Sequence, residues 1–363
     1  MTTIFLDRIT KVYGGRKGVV ALEDLTLKIR EGEFVGLLGP SGCGKTTTLR
    51  ILAGLERPTK GKVYFNDEDV TNLGPDRRNI AMVFQFPVLY PSLNVYDNIA
   101  LSLDSAKLSK QTIRERIIEA AEIVGISEYL NMRTQQLDLA TKQKVVLAKT
   151  LVRDPTIFLL DEPLSLLDPK LRTAFRTKIK EIQLGMKKPM VYVTHDQTEA
   201  LTLSDKIAVM NEGKVLQYDT PENLYTNPSV MFVGWFIGSP GMNLIKCDVL
   251  VEDEKTYLAT ESGFKYDISF LGDVIQSKNF PRKVILGIRP EHIQINAQGG
   301  MTAELTQVEY MGNIVILNLK INDVLVKAKA HKSVLKGSDK KILLNIPKER
   351  ITLFDDTGRR ILL

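Results

Sequence analysis

Cysteine is nearly absent from this sequence: Cys43 and Cys247 are the only two in 363 residues. A disulfide framework is thereby excluded as the source of stability, and reduced thiols fit the cytosol. Long apolar runs are missing too. None approaches the roughly 18 to 20 residues that a membrane-spanning helix needs. Residues 1–10 place Asp7 and Arg8 where a signal peptide would be apolar, so the expectation is a chain that stays in the cytosol. Dense blocks of like charge are also lacking. The net charge of +6 is spread over scattered lysines and arginines, which favours a solvated surface over a patch for nucleic acid or lipid headgroups. No fixed-period repeat and no low-complexity tract is present.

What is there has the make-up of a soluble globular protein, with 44 % hydrophobic and 25 % charged residues. The length exceeds the roughly 100 to 200 residues of a typical domain, so one larger and one smaller domain are expected. The apolar run Phe34–Leu38 reads as a buried strand, followed by a glycine-rich turn and a helix-compatible stretch over 45–55 that Pro58 stops. Residues 157–160 and 191–193 are further strand candidates, and each runs into polar chemistry, Asp161-Glu162 and Thr194-His195. In parallel α/β sheets, ligands gather at such carboxyl ends of strands. Between the turn and the second of these strands, residues 112–124 and 141–151 carry helical periodicity, which predicts a mostly helical insertion over about 88–153. Past about residue 234, short runs at 284–288, 293–295, 314–319 and 342–346 are broken by turn residues and predict a small all-β domain. The expected boundary lies ahead of Gly238-Ser239-Pro240-Gly241, giving domains 1–235 and 236–363.

Gly39-Pro40-Ser41-Gly42-Cys43-Gly44-Lys45-Thr46 fits the phosphate-loop pattern throughout, with a predicted strand before it and a predicted helix after. Glycines let backbone N–H groups point inward around phosphate oxygens, and the helix start adds the positive end of its dipole. Lys45 reaches the terminal phosphates, and the Thr46 hydroxyl is placed to ligate magnesium. Thr47 completes the expected ATP-binding stretch. Asp161 is a carboxylate at a strand end that can hold magnesium through water, and Glu162 beside it can orient or deprotonate an attacking water. An Asp-Glu pair after an apolar run is common; behind a phosphate loop it points to hydrolysis. ATP and Mg2+ are the expected ligands.

Together these residues resemble the ATP-binding cassette (ABC) family, the nucleotide-hydrolysing subunits of transporters, over nearly the whole chain. The resemblance implies an α/β P-loop NTPase domain with a helical subdomain. It implies that Gln85 of Val83-Phe84-Gln85 reaches magnesium and the attacking water, and that His195 of Val193-Thr194-His195-Asp196 hydrogen-bonds the γ-phosphate. Tyr13 resembles the aromatic that stacks on adenine, a half-buried strand tyrosine being the alternative. Ser165-Leu166-Leu167-Asp168 resembles the loop that faces the second cassette of a dimer, with Asp168 at the interface. The implied catalytic set is Lys45, Gln85, Glu162 and His195, and the implied metal set is Thr46, Gln85 and Asp161.

One segment departs from the family. Its members open a helix with LSGGQ, whose serine and glycine amides grip the γ-phosphate on the opposite protomer. Here Leu137-Asp138-Leu139-Ala140-Thr141 stands in that place, ahead of Lys144-Val145-Val146-Leu147-Ala148-Lys149. Asp138, Leu139 and Ala140 are thus expected at the dimer interface. Asp138 makes a good helix N-cap. Against a γ-phosphate, however, two unit negative charges about 4 Å apart repel by about 4 kcal/mol at an effective dielectric near 20, and Leu139 adds bulk where glycine allows close approach. The expectation is a heterodimer with one strong site, with a homodimer left open.

The remaining motifs concern partners. Phe86-Pro87-Val88-Leu89-Tyr90-Pro91, just after Gln85, resembles the surface that receives a transmembrane permease subunit. The strings 236–243, Gly287-Ile288-Arg289-Pro290-Glu291-His292 and Val308-Glu309-Tyr310-Met311-Gly312 resemble the OB-like (TOBE) regulatory domain of carbohydrate importer ATPases. The resemblance implies a subunit peripheral to the cytoplasmic face of the membrane, served indirectly by an extracytoplasmic solute-binding protein, with glycerol as the cargo closest in look. An OB-like fold can also bind oligonucleotides, but aromatics interleaved with basic residues are missing, so no nucleic-acid partner is expected. The alternative from another class is a regulatory or translation-associated cassette that moves no solute.

Overall fold

The computed structural model describes residues 3–14, 18–103, 108–272, 275, 280–296, 300–335 and 340–361. They form two compact units, Met1–Pro221 and Glu222–Leu363.

The first unit is built on two sheets. β1 (Ile4–Tyr13) and β2 (Val19–Ile29) pair antiparallel, with Ile4, Leu6, Leu27 and Ile29 turned inward. β3 (Phe34–Leu38) and α1 (Lys45–Ala53) follow, then β4 (Lys60–Phe65) and β5 (Glu68–Asp69), which complete a four-stranded sheet in the order β2-β1-β4-β5. β6 (Ile80–Val83) leads into the helices α2 (Val95–Ala100), α3 (Lys110–Val124) and α4 (Leu139–Leu151). β7 (Ile157–Asp161), α5 (Pro169–Met186), β8 (Met190–Thr194), α6 (Gln197–Leu203), β9 (Lys206–Asn211) and β10 (Lys214–Asp219) complete the unit. The second sheet runs β10-β9-β3-β8-β7-β6, parallel except for β10 on β9. β3 and β8 are buried along their whole length, which is why they appear in the sequence as unbroken apolar runs. One face packs on the first sheet through Val35, Leu37, Val191 and Val193; the other packs on α2 to α5 through Phe34, Phe158 and Tyr192.

The predicted strands lie where the apolar runs placed them, and β7 and β8 extend one residue further, to Asp161 and Thr194. α1 ends earlier than predicted. Gly54 adopts the left-handed conformation (φ 75°) and its N–H turns back to Arg50 and Ile51, so the helix stops well before Pro58. The buried Arg78 guanidinium also caps this end, donating to Ile51 O at 2.6 Å and Leu52 O at 3.0 Å. Burial lowers its pKa to about 10. The four-stranded sheet was not among the expectations.

The second unit opens with short helices, α7 (Pro221–Thr226, starting at the last residue of the first unit) and α8 (Met231–Phe236), and among the described residues is mainly β beyond them. Its strands are β11 (Asn243–Glu252), β12 (Lys255–Ala259), β13 (Lys265–Asp267), β14 (Lys283–Ile288), β15 (Gln294–Ile295), β16 (Met301–Met311), β17 (Ile314–Ile321), β18 (Val324–His331), β19 (Lys341–Asn345) and β20 (Ile351–Asp355). They make two antiparallel sheets, β13-β12-β11-β14-β20 and β15-β19-β16-β17-β18, around a shared core that includes Leu258, Leu286, Leu317 and Leu353. The division at 221/222 falls upstream of the expected 235/236. Arg289 gives the reason: it is 2 % exposed and donates to Tyr225 O at 2.7 Å, Gly234 O at 2.9 Å and Ile237 O. These bonds fasten residues 225–237 to the β structure.

Candidate nucleotide-hydrolysis site

The phosphate loop links the end of β3 to the start of α1. Gly39 passes so close to the backbone of the Met210 region that a Cβ there would lie 2.2 Å from Met210 O. Gly44 has φ 102° and a Cβ on it would meet Ala21 O at 2.6 Å, a conformation and a space open only to glycine. α1 starts without a side-chain cap and without an acidic residue in its first turn. Its leading N–H groups and positive dipole end are therefore left for an anion.

Lys45 is buried, and its ammonium lies across the loop, donating to Gly39 O at 2.7 Å and Pro40 O at 2.9 Å. The Cys43 thiol turns into the core, where burial raises its pKa, and its sulfur accepts from the Lys45 ammonium at 3.8 Å. Ser41 and Gly42 are exposed, and Thr47 is half-buried beside Thr46.

The Thr46 hydroxyl donates to Asp161 Oδ1 at 3.3 Å, which joins the phosphate loop to the end of β7. Burial raises the Asp161 pKa, and the Thr46 hydrogen bond opposes that shift. A hydroxyl and a carboxylate oxygen at one spot are hard donors suited to Mg2+, so these residues fit the expected ion. Gln85, the third expected ligand, instead donates to Glu162 Oε2 and to Ser165 Oγ, each at 3.4 Å.

Glu162 stands at φ 46°, a left-handed conformation that strains a non-glycine residue and is held by its surroundings. Its N–H donates to Val193 O at 3.0 Å, pinning it between the ends of β7 and β8. Its Oε2 meets His195 Nδ1 at 3.2 Å as well as Gln85 Nε2. Three of the four residues expected to be catalytic thus converge on one carboxylate oxygen; Lys45 lies in the phosphate loop. Ser165 opens the loop that resembles a dimer-facing segment. Its hydroxyl donates to Glu162 O at 2.9 Å and accepts from Gln85. The signal was its place three residues after Glu162, the reach of a side-chain-closed turn.

Tyr13 ends β1, is 37 % exposed, and has the Lys11 ammonium 4.8 Å from its ring centroid. Asp168 caps α5, accepting from the N–H groups of Lys170 and Leu171. Asp138 caps α4, accepting from Thr141 N–H at 2.7 Å. Asp138 and Leu139 are exposed. The Ala140 side chain is buried in the helical core with Leu137, Val145 and Leu147.

Residues 22–165 match the ABC transporter family, 238–293 the MalK OB fold domain, and 286–336 the TOBE domain. The sn-glycerol-3-phosphate import ATP-binding protein UgpC of Escherichia coli O157:H7 is 39 % identical over 99 % of this chain and 100 % of its own length. The chain belongs to the ABC transporter ATP-binding family. Another relative is the trehalose/maltose import ATP-binding protein MalK of Thermococcus litoralis, 38 % identical over 98 % of each chain. Among solved structures, a dimeric ATP-binding cassette in a post-hydrolysis state bound to ADP and Pi matches with a TM-score of 0.55 and 32 % identity, over 60 % of this chain and 98 % of that one. Like other ABC cassettes, this chain is an ATPase that binds ATP with Mg2+. Among the described residues, no helix is long and apolar enough to cross a membrane.

Proposed function

We propose that this ABC ATPase powers import of a sugar or polyol, glycerol being the specific cargo put forward, as one half of an unequal pair of cassettes. One observation carries the unequal pairing. The chain's own hydrolytic groups are assembled, with Gln85 and His195 on the Glu162 carboxylate, while the segment it would offer to a partner's nucleotide begins with an exposed carboxylate, Asp138, and an exposed Leu139. The import role is supported by relatives whose names describe glycerol-3-phosphate and trehalose/maltose import. It is supported too by the OB and TOBE segments that follow the cassette. Phe86, Val88 and Tyr90, all more than half exposed, supply an apolar and aromatic surface for a transmembrane subunit. The subunit would then act from the cytoplasmic face of the membrane.

In this reading Lys45 and the N–H groups at the start of α1 hold the phosphates of ATP, and Tyr13 stacks on adenine. Thr46 and Asp161, with Gln85, hold Mg2+, which offsets phosphate charge when bound. Glu162 orients and deprotonates the attacking water, and His195 hydrogen-bonds the γ-phosphate. Asp168 faces the second cassette.

The test is ATP turnover by the purified full chain, alone and mixed with a second cassette that carries an intact LSGGQ. Slow turnover alone and fast turnover in the mixture are expected. Vigorous turnover by the chain alone would overturn the unequal pairing.

A further inference from the structure

Behind the site, one side chain holds together the two loops that flank Glu162. Arg172, on α5, donates through Nη2 to Leu167 O at 3.2 Å, in the loop that ends at Asp168. Through Nη1 it donates to Asp196 Oδ2 at 3.3 Å, in the loop that carries His195. Its Nε lies 3.7 Å from Glu199 Oε1.

Glu199 is 3 % exposed, and its other oxygen accepts from Tyr192 OH at 2.9 Å and Thr194 Oγ1 at 2.7 Å. Thr194 Oγ1 also accepts from Asp196 N–H at 3.0 Å. The residues on both sides of His195 are therefore fixed in one partly buried network centred on Glu199, and Arg172 is the cation that serves it. The His195 side chain is itself 58 % exposed. An exposed ring of this kind takes its direction from the backbone beneath it.

We propose that Arg172 is a positioning residue for ATP hydrolysis: it sets the His195 loop against the loop that ends at Asp168, and so places His195 on Glu162. Two properties of arginine fit the task. A buried carboxylate such as Glu199 needs a counter-ion, and the planar guanidinium fork reaches two acceptors in fixed directions, which a lysine ammonium does not. Arg172→Lys therefore keeps the charge beside Glu199 and loses the span between Leu167 O and Asp196.

The chain has three histidines, His195, His292 and His331, so ring NMR of the full chain reports the placement directly. In Arg172→Lys the His195 signals should shift or broaden, while those of His292 and His331, both in the second unit, stay where they are. With its cassette partner, the variant should turn over ATP about tenfold more slowly at saturation with KM within about twofold of the parent, the signature of an interaction used in the chemical step. An unmoved His195 signal, or turnover within about twofold of the parent, overturns the proposal. If Arg172→Lys does not fold, the pair Arg172→Met with Glu199→Gln removes the buried charge and its counter-ion together. That chain should fold and still lose turnover; parental turnover in it overturns the proposal equally.

Discussion

Two helix starts in the first unit meet the same physical problem in opposite ways. α1 begins at Lys45 with no side-chain cap and no acid in its first turn, so its leading N–H groups remain available to phosphate. α4 begins beneath Asp138, whose carboxylate closes on Thr141 N–H. Every helix start leaves N–H groups without intrahelical partners. Satisfying them from within secures the helix, and leaving them open makes an anion site. In this chain the phosphate loop keeps the second solution, while the segment standing where a family signature would be has adopted the first.

The largest effect expected from testing this contrast lies on the intact side. Glu162→Gln keeps the shape of the side chain and its contacts with Gln85 and His195 but removes the base. Turnover in the paired complex should fall by about a thousandfold, within the range for loss of a general base, while ATP binding is retained. Phosphate release and nucleotide-binding titrations read the two separately. Turnover above about a tenth of the parent's would assign the base to another group.

The next effect lies on the altered side. Changing Asp138→Ser, Leu139→Gly and Ala140→Gly together rebuilds a serine with two glycines. Relief of a repulsion of a few kcal/mol at most should raise turnover of the chain alone by about tenfold or more. The glycines cost about 1 kcal/mol each in helix stability, and removing the buried Ala140 methyl adds a small cavity. Asp138→Asn separates charge from bulk. Asparagine caps as well as aspartate, so this single change should give a smaller gain with no loss of stability. Should the triple variant turn over no faster than its parent, the asymmetry originates elsewhere than in this segment.

What the sequence revealed divides along similar lines. β3, β7 and β8 were legible because strands buried on both faces are written as continuous apolar runs, and the phosphate loop was legible because its chemistry lies in consecutive residues. The sheet around β1 and β2 was not, since register shifts between Leu6 and Ile9 and between Lys11 and Val12 break the alternation that marks a half-buried strand. The 221/222 division was not legible because Gly238-Ser239-Pro240-Gly241 has the composition of a linker, whereas Arg289, just after β14, reaches back past it to Tyr225 and Gly234. Gln85, Glu162 and His195 were named together through family resemblance. Their separations of 77 and 33 residues leave no local pattern to read. Arg172 and Glu199 escaped notice for the same reason, being joined only by the fold.

The smallest effect tests whether Asp138 has a folding role that accounts for its presence. Asp138→Ala removes the cap and should cost the first unit about 1 kcal/mol near neutral pH, measured by urea unfolding of that unit. Hydrogen bonding by Thr141, through its side chain and its N–H, holds the Asp138 carboxyl below its ordinary value. A carboxyl depressed in the folded state stabilises above the unfolded pKa, about 3.9, and loses that contribution as pH falls through the lower folded value. The gap between parent and Asp138→Ala should therefore be full at pH 7 and narrow below about pH 4, while Asp138→Asn, which carries no titrating group, should hold a constant advantage over Asp138→Ala across that range. A gap that does not change with acidity would mean that the carboxylate does not support the helix. The charge at this position would then act only on whatever nucleotide a partner brings to it, and the two helix starts would differ in binding alone.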